Sequence, residues 1–183
     1  MWRDAIKYDR PPGIAHAVEQ LSHEFASTQL GEILGAGVTL VPAPKSSPLV
    51  EGALWPAKRI ADELLARGLG REVIPCVRRA VRVPKSAFAA AGERPTAKTH
   101  LESLTAEGEL ARPARIAVVD DVVTKGATLL AVASLVQDLF PEADVRAFAM
   151  LRTMGLQPEV DRILEPCVGT IHLTVWGEAD RQP

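Results

Sequence analysis

Two adjacent carboxylates, Asp120 and Asp121, stand just upstream of the run Thr124-Lys125-Gly126-Ala127-Thr128. An apolar stretch, Ile116 to Val119, leads into the acids, and a segment rich in Leu, Ala and Val follows the run. A strand, a glycine turn and then a helix would aim backbone N–H groups and two threonine hydroxyls outward at a helix N-terminus, which suits a phosphate. The carboxylates suit a vicinal diol or a magnesium ion. Acids beside an anion site repel the phosphate unless they meet a different part of the same ligand. A ribose phosphate, with hydroxyls at one edge and a 5′-phosphate at the other, meets that condition.

Other chemistries that use acids at a strand end need partners this chain lacks. A P-loop hydrolase requires Gly-x-x-x-x-Gly-Lys-Ser/Thr, and the sequence has no such run. A haloacid-dehalogenase site requires Asp-x-Asp, whereas these acids are adjacent. A receiver domain carries its acid pair near the chain start, and here the pair lies two thirds of the way along. Cys76 and Cys167 are far apart, and His16, His23, His100 and His172 form no metal-ligand spacing.

The elements that must position the acids can be read from apolar periodicity. Pro11-Pro12-Gly13 breaks the chain, and Ile14, Val18, Leu21 and Phe25 then predict a helix from about Ile14 to Leu30. Val38 to Val41 reads as a strand stopped by prolines, and Leu54 to Leu65 as a second helix ending near Gly68 and Gly70. Glu72 to Val77 reads as a strand, and Arg78 to Pro113 shows no clear periodicity. A strand at Ile116 to Val119, a helix at Ala127 to Phe140, a strand at Val145 to Leu151 and a last strand at Thr170 to Val175 complete the pattern. Alternating strands and helices predict an α/β fold, a parallel sheet flanked by helices. Ligands gather outside the C-terminal ends of such strands. The ends deliver Lys45-Ser46-Ser47, Arg78-Arg79, Asp120 to Thr128, and Arg152-Thr153, a polar and largely basic edge fit for a polyanion.

The chain has 183 residues, a length for one domain with a core of roughly 130 residues. Its net charge of −2 gives no bulk attraction to nucleic acid. Charge is uneven, however: Arg78, Arg79, Arg82, Lys85, Arg94 and Lys98 face only Glu93 between residues 78 and 100, so the rest of the chain is acidic. A basic segment on an acidic body points to a local anion. No apolar run approaches the ~18 residues of a membrane span. Met1-Trp2-Arg3-Asp4 lacks the apolar core of a secretion signal. A soluble, cytoplasmic protein without a membrane partner is expected, with a homodimer left open.

At Val118 to Thr128 the chain resembles the type I phosphoribosyltransferases, whose signature is an apolar strand, two acids, two apolar residues and Thr-x-Gly-x-Thr. Val41-Pro42-Ala43-Pro44-Lys45 further resembles the competence-protein F-like branch, although Ser46 stands where many relatives have glycine. The cysteine pairs that commonly precede the core in that branch are missing, so no zinc is implied. The resemblance implies a type I phosphoribosyltransferase-like sheet with a core at about 37–153. The terminal segments, about 1–36 and 154–183, would form a small hood that reads the acceptor.

The resemblance further implies a donor, 5-phospho-α-D-ribosyl 1-diphosphate, bound with Mg²⁺. Thr124, Lys125, Gly126, Ala127 and Thr128 would hold its 5′-phosphate, and Asp120 and Asp121 its ribose hydroxyls, with a contact to the metal left open. Lys45, Ser46, Ser47, Arg78, Arg79 and Lys85 would meet the diphosphate. The segment from Arg78 to His100 stands where the family has a loop that closes over the reacting groups. The activity implied is transfer of the phosphoribosyl group to a nitrogenous acceptor that the sequence does not name. Two alternatives are a non-catalytic ribose-phosphate sensor and a competence-type DNA-handling accessory protein. Against the last, the basic cluster holds a single aromatic, Phe88, and stacking platforms for nucleic acid are scarce.

Overall fold

A computed structural model describes residues 2–8, 10, 13–84, 95–108, 112–153 and 166–182. Four strands form a parallel sheet: β1 (Thr39–Pro42), β2 (Glu72–Val73), β5 (Arg115–Val123) and β6 (Asp144–Arg152), in the order β2-β1-β5-β6. The helices are α1 (Trp2–Lys7), α2 (Gly13–Glu24), α3 (Pro56–Ala66), α4 (Ala97–Glu102) and α5 (Ala127–Leu139). Two antiparallel ribbons stand apart from the sheet. One pairs β3 (Val77–Arg79) with β4 (Leu104–Ala106), the other β7 (Thr170–Leu173) with β8 (Ala179–Gln182). The architecture is α/β and compatible with a Rossmann-like fold.

The central strand β5 explains why the sheet carries a core on both faces. Successive residues point to opposite sides of a strand. Ala117 and Val119 accordingly join one apolar cluster, with Leu40, Ile60 and Leu64, while Ile116 and Val118 join the other, with Leu129, Val132 and Val136. All four β5 residues are buried, as strands covered on both faces must be. Hence α3 covers one face and α5 the other.

Several expected boundaries shift, each for a local reason. The strand expected at Glu72 to Val77 is split, because Pro75 has no N–H for a ladder. The Cys76 amide donates to the Ile74 carbonyl instead (2.9 Å), and Val77 onward leaves the sheet to pair with β4. The stretch from Arg78 to Pro113, which shows no clear periodicity, thus supplies most of β3 together with α4 and β4. Helix α2 is shorter than the predicted Ile14 to Leu30 and continues as tight helical turns at Phe25–Ser27 and Gln29–Glu32. Strand β7 ends at Leu173, and β8 was not anticipated.

The segment expected in the hood, 1–36, packs against the sheet where it is described. Ile6, Ile14, Val18, Leu30 and Leu34 are buried in the same cluster as Leu40 and Ala117, so this segment is part of the core layer beside α3. The apolar stripe that predicted a helix also predicts this burial. Of the other expected hood, 154–183, the described part forms the β7–β8 ribbon. Among the described residues, no helix is long and apolar enough to cross a membrane.

Candidate functional site

The chain runs from β1 through α3 to β2 on one side, then returns past β1 to β5 and on through α5 to β6. Strand order therefore reverses between β1 and β5. At such a switch point the two following connections leave toward opposite faces and open a crevice at the strands' C-terminal ends. The loop after β1 and the turn after β5 flank it.

Prolines make the first flank. Pro42 and Pro44 offer no N–H, so after the Ala43 amide bonds to the Val119 carbonyl (2.8 Å) the chain leaves the sheet. Donors from three other segments then hold its carbonyls. Trp55 Nε1 donates to Ala43 O at 2.8 Å, Arg79 Nε to Lys45 O at 2.9 Å, and the Val83 amide to Ser46 O at 2.8 Å. In a planar trans peptide the N–H points opposite the C=O. The amides of Ser46 and Ser47 therefore face away from those donors, and among the described residues neither has an acceptor.

The second flank is the end of β5. The strand does not stop at Val119 but runs through both acids to Val123, paired with β6 as far as Arg152. Asp120 and Asp121 are half-buried on it, with Asp120 Oδ1 accepting from the Asp121 amide (2.8 Å) and Asp121 Oδ1 from the Val122 amide (2.9 Å). Gly126 then turns the chain with φ of +89°, a region that disfavours any side chain. A Cβ there would also lie 2.6 Å from Ile171 Cδ1, so β7 packs directly on the turn. The first α5 bond runs from the Leu130 amide to Gly126 O (2.9 Å), leaving the amides before it without helical acceptors. The β7–β8 ribbon fastens the turn further. Arg181 donates to Thr124 O (3.0 Å) and Thr153 O (2.8 Å), and Lys125 Nζ meets Glu178 Oε2 at 3.0 Å.

A buried polar chain links the flanks. Besides Lys45 O, the Arg79 guanidinium donates to Ser103 Oγ and to His100 O, and its Nη2 lies 3.3 Å from His100 Nδ1. His100 Nε2 lies 3.4 Å from Thr128 Oγ1. Arg79 is only 5% exposed and His100 3%. Burial lowers the Arg79 pKa to about 10, against the pull of Asp120, so the group stays charged. Burial, and then the Arg79 charge, lower His100 to about 4, so its ring is neutral. Burial first, and the Asp121 carboxylate beside it second, hold Asp120 well above the usual carboxylate range, with the Arg79 charge only partly opposing them.

The crevice thus collects Asp120, Asp121, Thr124, Gly126, Ala127 and Thr128 on one side and Lys45, Ser46 and Ser47 on the other. The structure separates Arg78 and Arg79, which were expected together at the diphosphate. Neighbours on a strand point to opposite faces, so Arg78 is exposed beside Glu107 (3.8 Å) while Arg79 is spent on internal hydrogen bonds. Lys125 is directed to Glu178. Lys85 and the middle of the expected closing segment, 85–94, lie outside the described residues, and its end, from Ala97, is the start of α4, capped by Thr96 Oγ1 (3.2 Å from the Thr99 amide). Sequence reasoning missed Trp55, His100, Ser103 and Arg181, whose partners are remote along the chain.

No protein-family model matches the chain, and no curated protein matches it.

Proposed function

We propose that the chain is a type I phosphoribosyltransferase-like enzyme that transfers the 5-phosphoribosyl group of 5-phospho-α-D-ribosyl 1-diphosphate to a nitrogen nucleophile. The observation that carries this reading is the meeting, at one switch point, of an anion-suited turn, an acid pair and a second set of outward amides. The 5′-phosphate would lie on the amides and hydroxyls of residues 124–128. The ribose hydroxyls would face Asp120 and Asp121, and the diphosphate would face Lys45 and the amides of Ser46 and Ser47. Positive charge building at the anomeric carbon would be favoured by the adjacent carboxylates.

The donor set suits magnesium carried by the donor rather than by the protein. Among the described residues no group of three or more His, Cys, Asp or Glu is placed to hold a metal. Asp120 and Asp121 offer two carboxylates, and Mg²⁺ takes its remaining oxygens from substrate phosphates and water in sites of that kind. When bound it would neutralise charge on the leaving diphosphate. The acceptor would be read by residues near the β7–β8 ribbon, which lies against the phosphate turn.

One observation favours a second reading, a ribose-phosphate sensor. With Arg79 turned inward and Arg78 outward, cationic help for a leaving group is thinner than the sequence promised. The test is calorimetry with the diphosphate donor and magnesium, followed by a screen of nucleobases and amines for diphosphate release. For an enzyme, Lys45→Ala lowers turnover by at least ~10-fold with a smaller effect on donor affinity, because the contact tightens as the diphosphate gains charge. Tight donor binding with no diphosphate release from any acceptor selects the sensor. No donor binding at all rejects both readings.

A further inference from the structure

The phosphate turn is backed by a hydrogen-bond chain whose direction is fixed by its first member. Arginine has donors and no acceptor. Its Nη2 approaches His100 Nδ1 (3.3 Å), so that nitrogen must carry the lone pair and the ring proton must sit on Nε2. Nε2–H in turn faces Thr128 Oγ1 at 3.4 Å, which makes the hydroxyl oxygen an acceptor from within the protein. The hydroxyl hydrogen is then left to point elsewhere.

Resting on the ribose-phosphate reading of this turn, we propose that His100 is a positioning residue that fixes Thr128 as a hydrogen-bond donor to a phosphate on the 124–128 turn. The same arginine holds Lys45 O at the far flank (2.9 Å), so one buried cation orients both sides of the crevice. Without His100 the Thr128 hydroxyl could turn its oxygen lone pairs toward the anion and oppose it. A fixed guanidinium-to-imidazole-to-hydroxyl chain polarises each bond in the direction a phosphate needs. The ring is held neutral by burial and by Arg79, with its pKa lowered to about 4, so it keeps a lone pair for Nη2 at ordinary pH.

The experiment titrates ribose 5-phosphate into the full chain by calorimetry, with thermal midpoints recorded for every variant. Thr128→Val and His100→Leu are each expected to weaken binding about 10-fold, the scale of one hydrogen bond to a charged group. If His100 acts through the Thr128 hydroxyl, the double variant is no weaker than the weaker single one. His100→Gln, with a carbonyl for Arg79 and an amide N–H for Thr128, restores binding to within a few-fold. The nitrogen resonances of the parent's His100 ring supply a second measurement that needs no variant to fold. They should show a protonated Nε2 and a bare Nδ1, and the opposite tautomer overturns the proposal. Additive losses, or unchanged affinity in His100→Leu, overturn it while leaving the phosphate site standing. Failure of the parent to bind ribose 5-phosphate overturns both.

Discussion

The two flanks of the crevice are built on different principles. The turn after β5 takes its shape from its own residues, a glycine in the left-handed region, two threonines and the start of a helix, and is then fastened from outside by Arg181 and Glu178. The loop after β1 contains little that would fix it alone. Its carbonyls are held by Trp55, Arg79 and Val83, the first two reaching back 12 and 34 positions. A local motif can present amides because helix geometry does the aiming. A loop without such geometry must have its carbonyls taken from behind before its amides face a ligand. The difference also predicts where each flank is vulnerable, in its own sequence or at a distance.

Replacing Arg79 tests the remote side and should have the largest effect. Arg79→Met keeps bulk but leaves Lys45 O without its donor and removes the bonds to His100 and Ser103. Leaving buried polar groups without partners costs about 1–3 kcal/mol for each one not rescued by water. A loss of about 3 kcal/mol in urea unfolding is expected, together with faster amide exchange at Val83, whose N–H is bonded to Ser46 O. A loss under about 1 kcal/mol would mean that the loop holds itself.

Gly126→Ala tests the local side and should cost less in stability and more in binding. A left-handed conformation costs an alanine about 1–2 kcal/mol. Crowding against Ile171, whose Cδ1 and Cγ2 would lie 2.6 and 2.8 Å from the new carbon, adds to it. The total expected is about 2 kcal/mol. Calorimetry should find ribose 5-phosphate binding weakened even where the fold survives. If binding is intact, the turn is a structural corner and not an anion site.

The same contrast explains what was legible in the sequence. The sheet was legible because β1, β5 and β6 are short apolar runs bounded by prolines, acids and glycines, and because α3 and α5 carry apolar stripes. The glycine turn at residues 124–128 was legible because its geometry is local. The flank after β1 was legible only as Lys45-Ser46-Ser47, since nothing local marks Trp55 or Arg79 as its support. Two adjacent arginines looked like two ligands for one anion. Strand alternation instead sends Arg78 to solvent and Arg79 into the interior, and only the departure of β3 from the sheet after Pro75 reveals that a strand is there. His100 looked like an isolated histidine because its partners, Arg79 and Thr128, lie 21 and 28 positions away.

The acid pair shares properties of both flanks and should give the smallest stability change, of opposite sign. Asp120 sits in a local motif, yet its environment is set by burial, by Asp121 and by the remote Arg79. Its folded pKa is raised above the ordinary 3.8, so between those values the folded state binds more protons than the unfolded one. Stability from this group is therefore complete below about 3.8 and lost as pH rises through the folded value. His100 works the other way. Its pKa is lowered from 6.5 to about 4, so its contribution is lost as pH falls through that window. Comparing the parent with Asp120→Asn cancels the histidine and isolates the acid. The variant should unfold at a higher temperature than the parent at pH 7 to 8, with the advantage shrinking toward pH 4, while binding of the diphosphate donor falls sharply. Stability gained where function is lost marks a carboxylate kept in place for a ligand. If Asp120→Asn instead destabilises the chain at neutral pH and leaves donor binding unchanged, the acid belongs to the scaffold, and the ribose must be sought elsewhere in the crevice.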